Sequence, residues 1–185
     1  MATIDLSVTT VREANELLRK YGADGIDVEV LNPDARHHIG VGLTHPINVH
    51  IKGSAGYFCG GLTDGPRFVV DNNVGWGVGD NMLNGSIVVN GNASAIPGVA
   101  IRGAEIVVKG NIGSRAGQVM KAGTLLACGN ADVHIPEAIV RSSADVFRHL
   151  GATVDLRIYP GIGHDIVGDE IDALAEMIRT LRGAP

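Results

Sequence analysis

His164 is placed as a catalytic base would be. It lies in "YPGIGHD" (159–165), where the apolar run "TVDLRI" leads into a Gly-x-Gly-His turn. Such a base needs a nucleophile, and in strand–turn–helix hydrolases that is the serine of a Gly-x-Ser-x-Gly elbow. No Gly-x-Ser-x-Gly occurs in the 185 residues. Ser94, in "GNASAIPG", takes a position held by glycine at Gly56, Gly75 and Gly113 in neighbouring segments, so it reads as part of a repeated turn. "GWGVGD" (75–80) is glycine-rich, but it lacks the Gly-x-Gly-x-x-Gly spacing that opens a phosphate-binding helix, and no Gly-Lys-Ser/Thr follows any glycine run. His37 and His38 are adjacent on a stretch expected to be extended, which would point them to opposite faces and prevent them from sharing a metal. His45, His50, His134 and His149 have no cysteine or carboxylate partner at ligand spacing. Cys59 is expected to be a small core residue. Trp76 reads equally as an exposed docking aromatic or as packing. No catalytic, cofactor-binding or metal-binding residue is therefore expected to act in this chain.

The elements around these residues follow an internal repeat. "VVDNNVGWGVGDNMLNGSI" (69–87), "VVNGNASAIPGVAIRGAEI" (88–106) and "VVKGNIGSRAGQVMKAGTL" (107–125) align without a gap at a period of 19. The stretch from His50 keeps the same register, and "LACGNA" begins another copy at Leu126. Three slots recur: Gly60, Gly79, Gly98 and Gly117; Phe68, Ile87, Ile106 and Leu125; and Ser54, Asn73, Asn92, Asn111 and Asn130. A short fixed period whose units cannot each bury an apolar side is the signature of a solenoid. Nineteen residues are too few for a helix pair and suit one coil of a parallel β-helix, with coils about 4.8 Å apart. The recurring glycine would supply positive φ at a corner. The recurring asparagine would stack as an amide ladder, each side chain bonding the coils above and below.

Outside the repeat the pattern changes. "TVRE" (10–13) is a capping box; Val11, Ala14, Leu17, Leu18 and Tyr21 follow at helical spacing, and Gly22 is the expected C-cap. "DVEVLN" alternates as a strand. Beyond Asn130 the glycine slot would fall on Pro136, and the period breaks. Residues 132–185 carry nine acids against five bases, so the tail differs in composition as well. It reads as helix, strand and helix. The segment 136–182 is expected to cap the last coil near Leu125 and Leu126. The formal charge of −5 argues against a nucleic-acid partner. No apolar run approaches the ~20 residues needed to span a membrane. The opening "MATIDLSVTT" has no targeting pattern, and two cysteines make no disulfide framework, so a cytoplasmic protein with reduced thiols is expected.

Residues 1 to about 130 resemble the GXGXG family, in "VEVLNPDARHHIGVGL", "VHIKGSAGYFCGGL", "VGWGVGDNMLNGSIVVNGNAS" and "GNIGSRAGQVMKAGTLLACGNA". That family includes the C-terminal domain of the glutamate synthase large subunit, the stand-alone subunits of N-methylglutamate synthase-like complexes, and one of the subunits of formylmethanofuran dehydrogenase. The short N-terminal helix is most similar to the stand-alone subunit. The resemblance implies a mainly β fold, a right-handed parallel β-helix, with a non-catalytic role. Such a subunit links a glutamine amidotransferase-like part to an FMN-binding glutamate synthase-like part. FMN and iron–sulfur clusters are then expected only in those partner subunits of the oxidoreductase complex. After Asn130 the chain departs from the family. "GNADVHIPEAIVRSSADVFRHLGATVDLRIYPGIGHDIVGDEIDAL" is similar to the last third of an α/β-hydrolase of the phospholipase/carboxylesterase or dienelactone hydrolase type. That resemblance makes Asp132 the triad acid and His164 the base, both as remnants, since the elbow and its sheet would lie in the part replaced by the β-helix. The expected organisation is an N-terminal helix and strand over 1–35, a β-helix over 36–131 and a hydrolase-like α-β-α fragment over 132–185. The alternative readings are a hydrolase remnant and an orphan fusion without activity.

Overall fold

The structure is a computed structural model that describes residues 1–127 together with Ser142, Ala144, Asp145 and His149. The chain divides into two compact units, Met1–Ala127 and Cys128–Pro185, and the fold below is that of the first. The expected α-β-α appendage and its capping role fall on residues outside those described.

The first unit is a parallel β-solenoid. Its strands are β1 (Ala2–Asp5), β2 (Val28–Leu31), β3 (Asn48–Ile51), β4 (Asp64–Val70), β5 (Asn84–Val89), β6 (Arg102–Val108) and β7 (Ala122–Ala127). They form one seven-stranded sheet in sequence order, every neighbouring pair parallel. A second, shorter ladder of single bridges joins Ala55, Val74, Ala93 and Ile112 on another side of the coil. Parallel strands are normally joined by helices; here each coil turns on itself, which the glycine-rich corners permit.

The register explains the repeat. Phe68 pairs with Ile87, Ile87 with Ile106 and Ile106 with Leu125, so residues 19 apart stack in one row. Val28 and Val49 extend that row below Phe68, while Val30, Ile51, Val70, Val89 and Val108 make a second. The side chains of both rows, from Val28 and Val30 up to Ile106 and Val108, are fully buried. Burying each contributes about 1.5–3 kcal/mol, and no coil could bury its share alone. The period is interrupted in two places by bulges, between Asp64 and Arg67 in β4 and between Arg102 and Glu105 in β6.

One helix, α1 (Val11–Ala23), is inserted between β1 and β2. The Glu13 N–H donates to Thr10 Oγ1 at 3.3 Å, and the Thr10 N–H donates to Glu13 Oε2 at 2.9 Å, which closes the capping box. Ala14 and Leu18 face the core. The expected C-cap is corrected: Asp24 is the cap and Gly25 takes the left-handed conformation, φ +67°. Gly22 is instead buried within the helix, where a Cβ would lie 3.0 Å from His45 Cβ. Its smallness lets the helix approach the solenoid.

Candidate functional site

Each coil turns a corner through three left-handed residues at alternating positions. The sets are His38, Gly40 and Gly42; Phe58, Gly60 and Leu62; Gly77, Gly79 and Asn81; Ile96, Gly98 and Ala100; and Arg115, Gly117 and Val119. Their φ angles lie between 52° and 74°. The middle member is glycine in every coil, and the reason is inward space. A Cβ on Gly40 would lie 2.5 Å from Phe68 Cε1, on Gly60 2.7 Å from Ile87 Cδ1, and on Gly79 2.5 Å from Ile106 Cδ1. Gly98 is looser, at 3.4 Å from Ile106 Cδ1. The outer two members carry side chains in all but two cases, Gly42 and Gly77, although a left-handed L-residue costs roughly 1–2 kcal/mol. Valine and isoleucine there are outliers for β-branched residues.

Alternation of backbone conformation sends successive N–H groups in opposite directions. The Phe58 N–H donates to Trp76 O on the next coil at 2.7 Å, and the Gly60 N–H donates to Ile39 O on the preceding coil at 3.0 Å. Gly79, Gly98 and Gly117 repeat the backward bond to Cys59, Val78 and Pro97 at 2.8–2.9 Å. The first corner has no preceding coil, and α1 supplies the missing groups. Asn15 Oδ1 accepts from the Gly40 N–H at 2.8 Å, and Asn15 Nδ2 donates to His38 O at 2.8 Å. A single buried amide thus stands in for a coil.

Beside the glycines, aromatic rings stack along the solenoid axis. His37 lies on Tyr57 with ring centres 4.2 Å apart, Tyr57 on Trp76 at 5.5 Å, and His38 on Phe58 at 5.7 Å. His37 Nδ1 also accepts the Tyr57 N–H at 2.9 Å. The expectation of an extended His37–His38 stretch is corrected: the segment is a turn, His38 has φ +63°, and both rings are exposed at the corner. Trp76 is 51% exposed and Tyr57 41%. "GWGVGD" is one of these corners.

The asparagine slot forms a ladder of a different kind from the stacked amides expected. Asn73 Oδ1 accepts from the Asn92 N–H at 2.8 Å and from Asn92 Nδ2 at 3.1 Å. Asn92 Oδ1 accepts from the Asn111 N–H at 2.7 Å. The rung is therefore mainly side chain to backbone. It requires the preceding residue to be small, since a Cβ on Gly91 or Gly110 would lie 2.6 or 2.5 Å from the accepting Oδ1. Asn111 Oδ1 is buried and has no hydrogen-bond partner among the described residues. Asn130, Asp132 and His164 lie outside the described residues. Ser94 follows the bridge residue Ala93, and a Cβ on Gly113 of the next coil would meet the Ser94 backbone. Cys59 is fully buried beside Gly60, and burial pushes its thiol up to about 12, which leaves it unreactive as a nucleophile at neutral pH. Among the described residues, no group of three or more histidines, cysteines or carboxylates could hold a metal ion. No described helix is long and apolar enough to cross a membrane.

The chain is similar to Protein GlxC of Rhizobium meliloti (strain 1021), with 39% identity over 91 residues. That match covers 48% of this chain and 40% of the length of its relative. No protein-family model matches the chain. No solved structure matches it. The repeated glycines and the asparagine slot were visible as sequence. The outer left-handed residues were not, because no residue type marks a slot filled by His, Gly, Phe, Leu, Asn, Ala, Ile, Arg and Val. Asn15 was hidden as well; its only sequence signal is a polar residue on the buried face of an otherwise amphipathic helix.

Proposed function

We propose that this chain is a non-catalytic, structural subunit or fragment of a glutamate synthase-like complex of the N-methylglutamate synthase kind. It joins a glutamine amidotransferase-like part to an FMN-binding synthase-like part, with FMN and iron–sulfur clusters in those partners. The observation that carries this reading is the corner itself: an in-register column of inward left-handed glycines in a parallel solenoid, the feature on which the GXGXG resemblance rests. The similarity to Protein GlxC supports it over about half the chain. The polar groups that the fold brings together, Asn15 with the first corner and Asn73 with Asn92, hold coils in place.

Co-expression of the full chain with amidotransferase-like and synthase-like subunits tests the proposal. All three should co-purify in fixed stoichiometry, flavin absorbance should follow the synthase-like subunit, and omission of this chain should separate the other two. A complex of the other two that assembles and turns over equally well without this chain would overturn the proposal, as would stoichiometric FMN on the isolated chain.

A further inference from the structure

The outward face of the main sheet carries a pattern that the coil does not require. Side chains alternate along a strand, so one face of β4, β5 and β6 supplies the buried rows and the other meets solvent. The register stacks the outward residues in columns: Val69, Val88 and Val107 in the centre, and Arg67, Ser86 and Glu105 on one side. Asp71, Asn90 and Lys109 make the other side, where the Asn90 N–H donates to Val70 O and the Lys109 N–H to Val89 O, each at 2.9 Å. Val69 is 37% exposed, Val88 and Val107 are half-buried, and the four charged residues are exposed.

The charges stand at the four corners of this patch. Arg67 and Asp71 flank Val69; Glu105 and Lys109 flank Val107 with the signs exchanged. Each outer column therefore holds unlike charges two coils apart, about 10 Å, with Ser86 or Asn90 between them. Where this sheet uses charge to join its own coils, the partners are on adjacent coils, as in Lys52 and Asp71 at 3.9 Å. Among the described residues Arg67, Glu105 and Lys109 make no ion pair, while Asp71 also meets His50 at 2.5 Å. Strand propensity accounts for the valines but not for this placement of charge.

A two-fold axis lying in the plane of contact, along β5, brings two such faces together. The rotation keeps position along the strand and reverses the order of coils. A residue therefore meets the member of its own column that lies equally far on the other side of β5. Val88 meets Val88 of a second copy, Val69 meets Val107, Arg67 meets Glu105 and Asp71 meets Lys109. Every corner charge faces its opposite, and each unlike pairing occurs twice, which is the self-complementarity of an isologous interface. The other in-plane axis, along the valine column, also pairs unlike charges over these coils. It sets Glu29 on Glu29 and His50 on His50 as well, because those residues continue the central column through β2 and β3.

We propose that the outward face of β4, β5 and β6 is a self-association surface on which two copies pack face to face with their solenoids antiparallel. Val88 lies on the axis, Val69 covers Val107, and Arg67–Glu105 and Asp71–Lys109 pair twice each around them. The patch spans three coils by five residues, about 10 Å by 13 Å between its outermost residues, which is well below a standard interface, so the dimer is reversible. This proposal is independent of the glutamate synthase-like reading.

Sedimentation velocity on the full chain, from about 1 to 500 micromolar, tests it at concentrations that span micromolar affinity. The expected result is a concentration-dependent dimer that weakens as salt is raised. Arg67→Glu and Glu105→Arg should each weaken the dimer about tenfold or more by setting like charges opposite one another, and the double exchange should recover it. Val88→Lys places two cations on the axis and should abolish it. Glu105→Gln and Lys109→Gln, with unchanged far-UV circular dichroism, carry the test if a reversal disturbs folding; each should weaken the dimer. A chain that is monomeric throughout overturns the proposal, as does a dimer indifferent to these changes. Recovery by Glu105→Lys with Lys109→Glu, in place of the Arg67–Glu105 exchange, would overturn the antiparallel axis in favour of the parallel one. A monomer whose Val88→Lys variant loses a co-expressed synthase-like subunit would give the face to that partner and overturn the proposal.

Discussion

Gly79→Ala is expected to be far more damaging than Gly98→Ala, although both residues occupy the same slot with φ of +66° and +65°. The backbone cost is common to both, roughly 1–2 kcal/mol for an L-residue held in the left-handed region. The difference is space. At Gly79 the new Cβ falls 2.5 Å from Ile106 Cδ1, 3.3 Å from Ile87 Cδ1 and 3.5 Å from Ile106 Cγ1; at Gly98 its nearest neighbour is 3.4 Å away. Ile87 and Ile106 are fully buried and cannot swing into solvent. Overpacking of such a site adds about 1–3 kcal/mol. The expected totals are about 2–5 kcal/mol for Gly79→Ala and about 1–2 kcal/mol for Gly98→Ala, read from urea denaturation followed by circular dichroism. Ile106→Val removes the offending Cδ1 and alone should cost about 0.5–1.5 kcal/mol. In a double-mutant cycle, Gly79→Ala with Ile106→Val should be less destabilised than the sum of the two by at least about 1 kcal/mol. Equal losses for the two glycines, or an additive cycle, would show that inward space does not select glycine at this slot.

Four further outcomes are expected. Asn15→Ala removes two hydrogen bonds and leaves the Gly40 N–H without its acceptor at a buried site, so it should cost about 2–4 kcal/mol and raise the hydrogen-exchange rate of the Gly40 amide above those of Gly60 and Gly79. In a Cys128→Ser background, Cys59 should resist aromatic disulfide reagents at pH 8 until denaturant is added. Because folding raises this thiol to about 12, the stability it confers is intact below the ordinary cysteine range and should fall as pH rises from about 9 towards 12, measured by alkaline denaturation against Cys59→Ala. At the acid end, Asp5 is held low by Asn32 and Ser7, Glu13 by Thr10 and Asp27 by Asn48. Stability from these lowered carboxyls is present above their ordinary range and lost as pH falls through it, so the N-terminal strands and α1 should open first on acidification, and Asp27→Asn should flatten that dependence in hydrogen exchange. Finally, turnover of p-nitrophenyl esters should stay at background; activity abolished by His164→Ala would establish a working hydrolase.

The solenoid was legible because its two strongest constraints act on residue type. Inward left-handed corners admit only glycine, and a strand row shared by all coils admits only apolar side chains, so Gly60, Gly79, Gly98 and Gly117 and the row through Phe68 show as a period of 19. The asparagine column was legible as a column, but its bonding was not: stacked amides and an Oδ1 that accepts the next backbone N–H both require Asn every 19 residues. The recurrent Gly before Asn at 91 and 110 was the clue, since only the second arrangement crowds that Cβ. His37 and His38 were misread because a left-handed histidine leaves no mark in sequence. The first corner also stands 20 residues from the second, Gly40 to Gly60, which hides it from a strict period.

The corner separates two demands that most folds combine. Its inward glycine fixes how coils stack, while its outer slots also carry Phe, Leu, Asn, Ile, Arg or Val at a similar backbone cost. Side-chain changes at the exposed outer slots, such as Leu62 and Val119, therefore leave the buried rows untouched. Exposed residues repeat at one spacing along the axis, so a charge placed on one coil has a definite distance from a charge placed two coils away. That is the property a rigid spacer needs if it is to hold large partners at fixed separation.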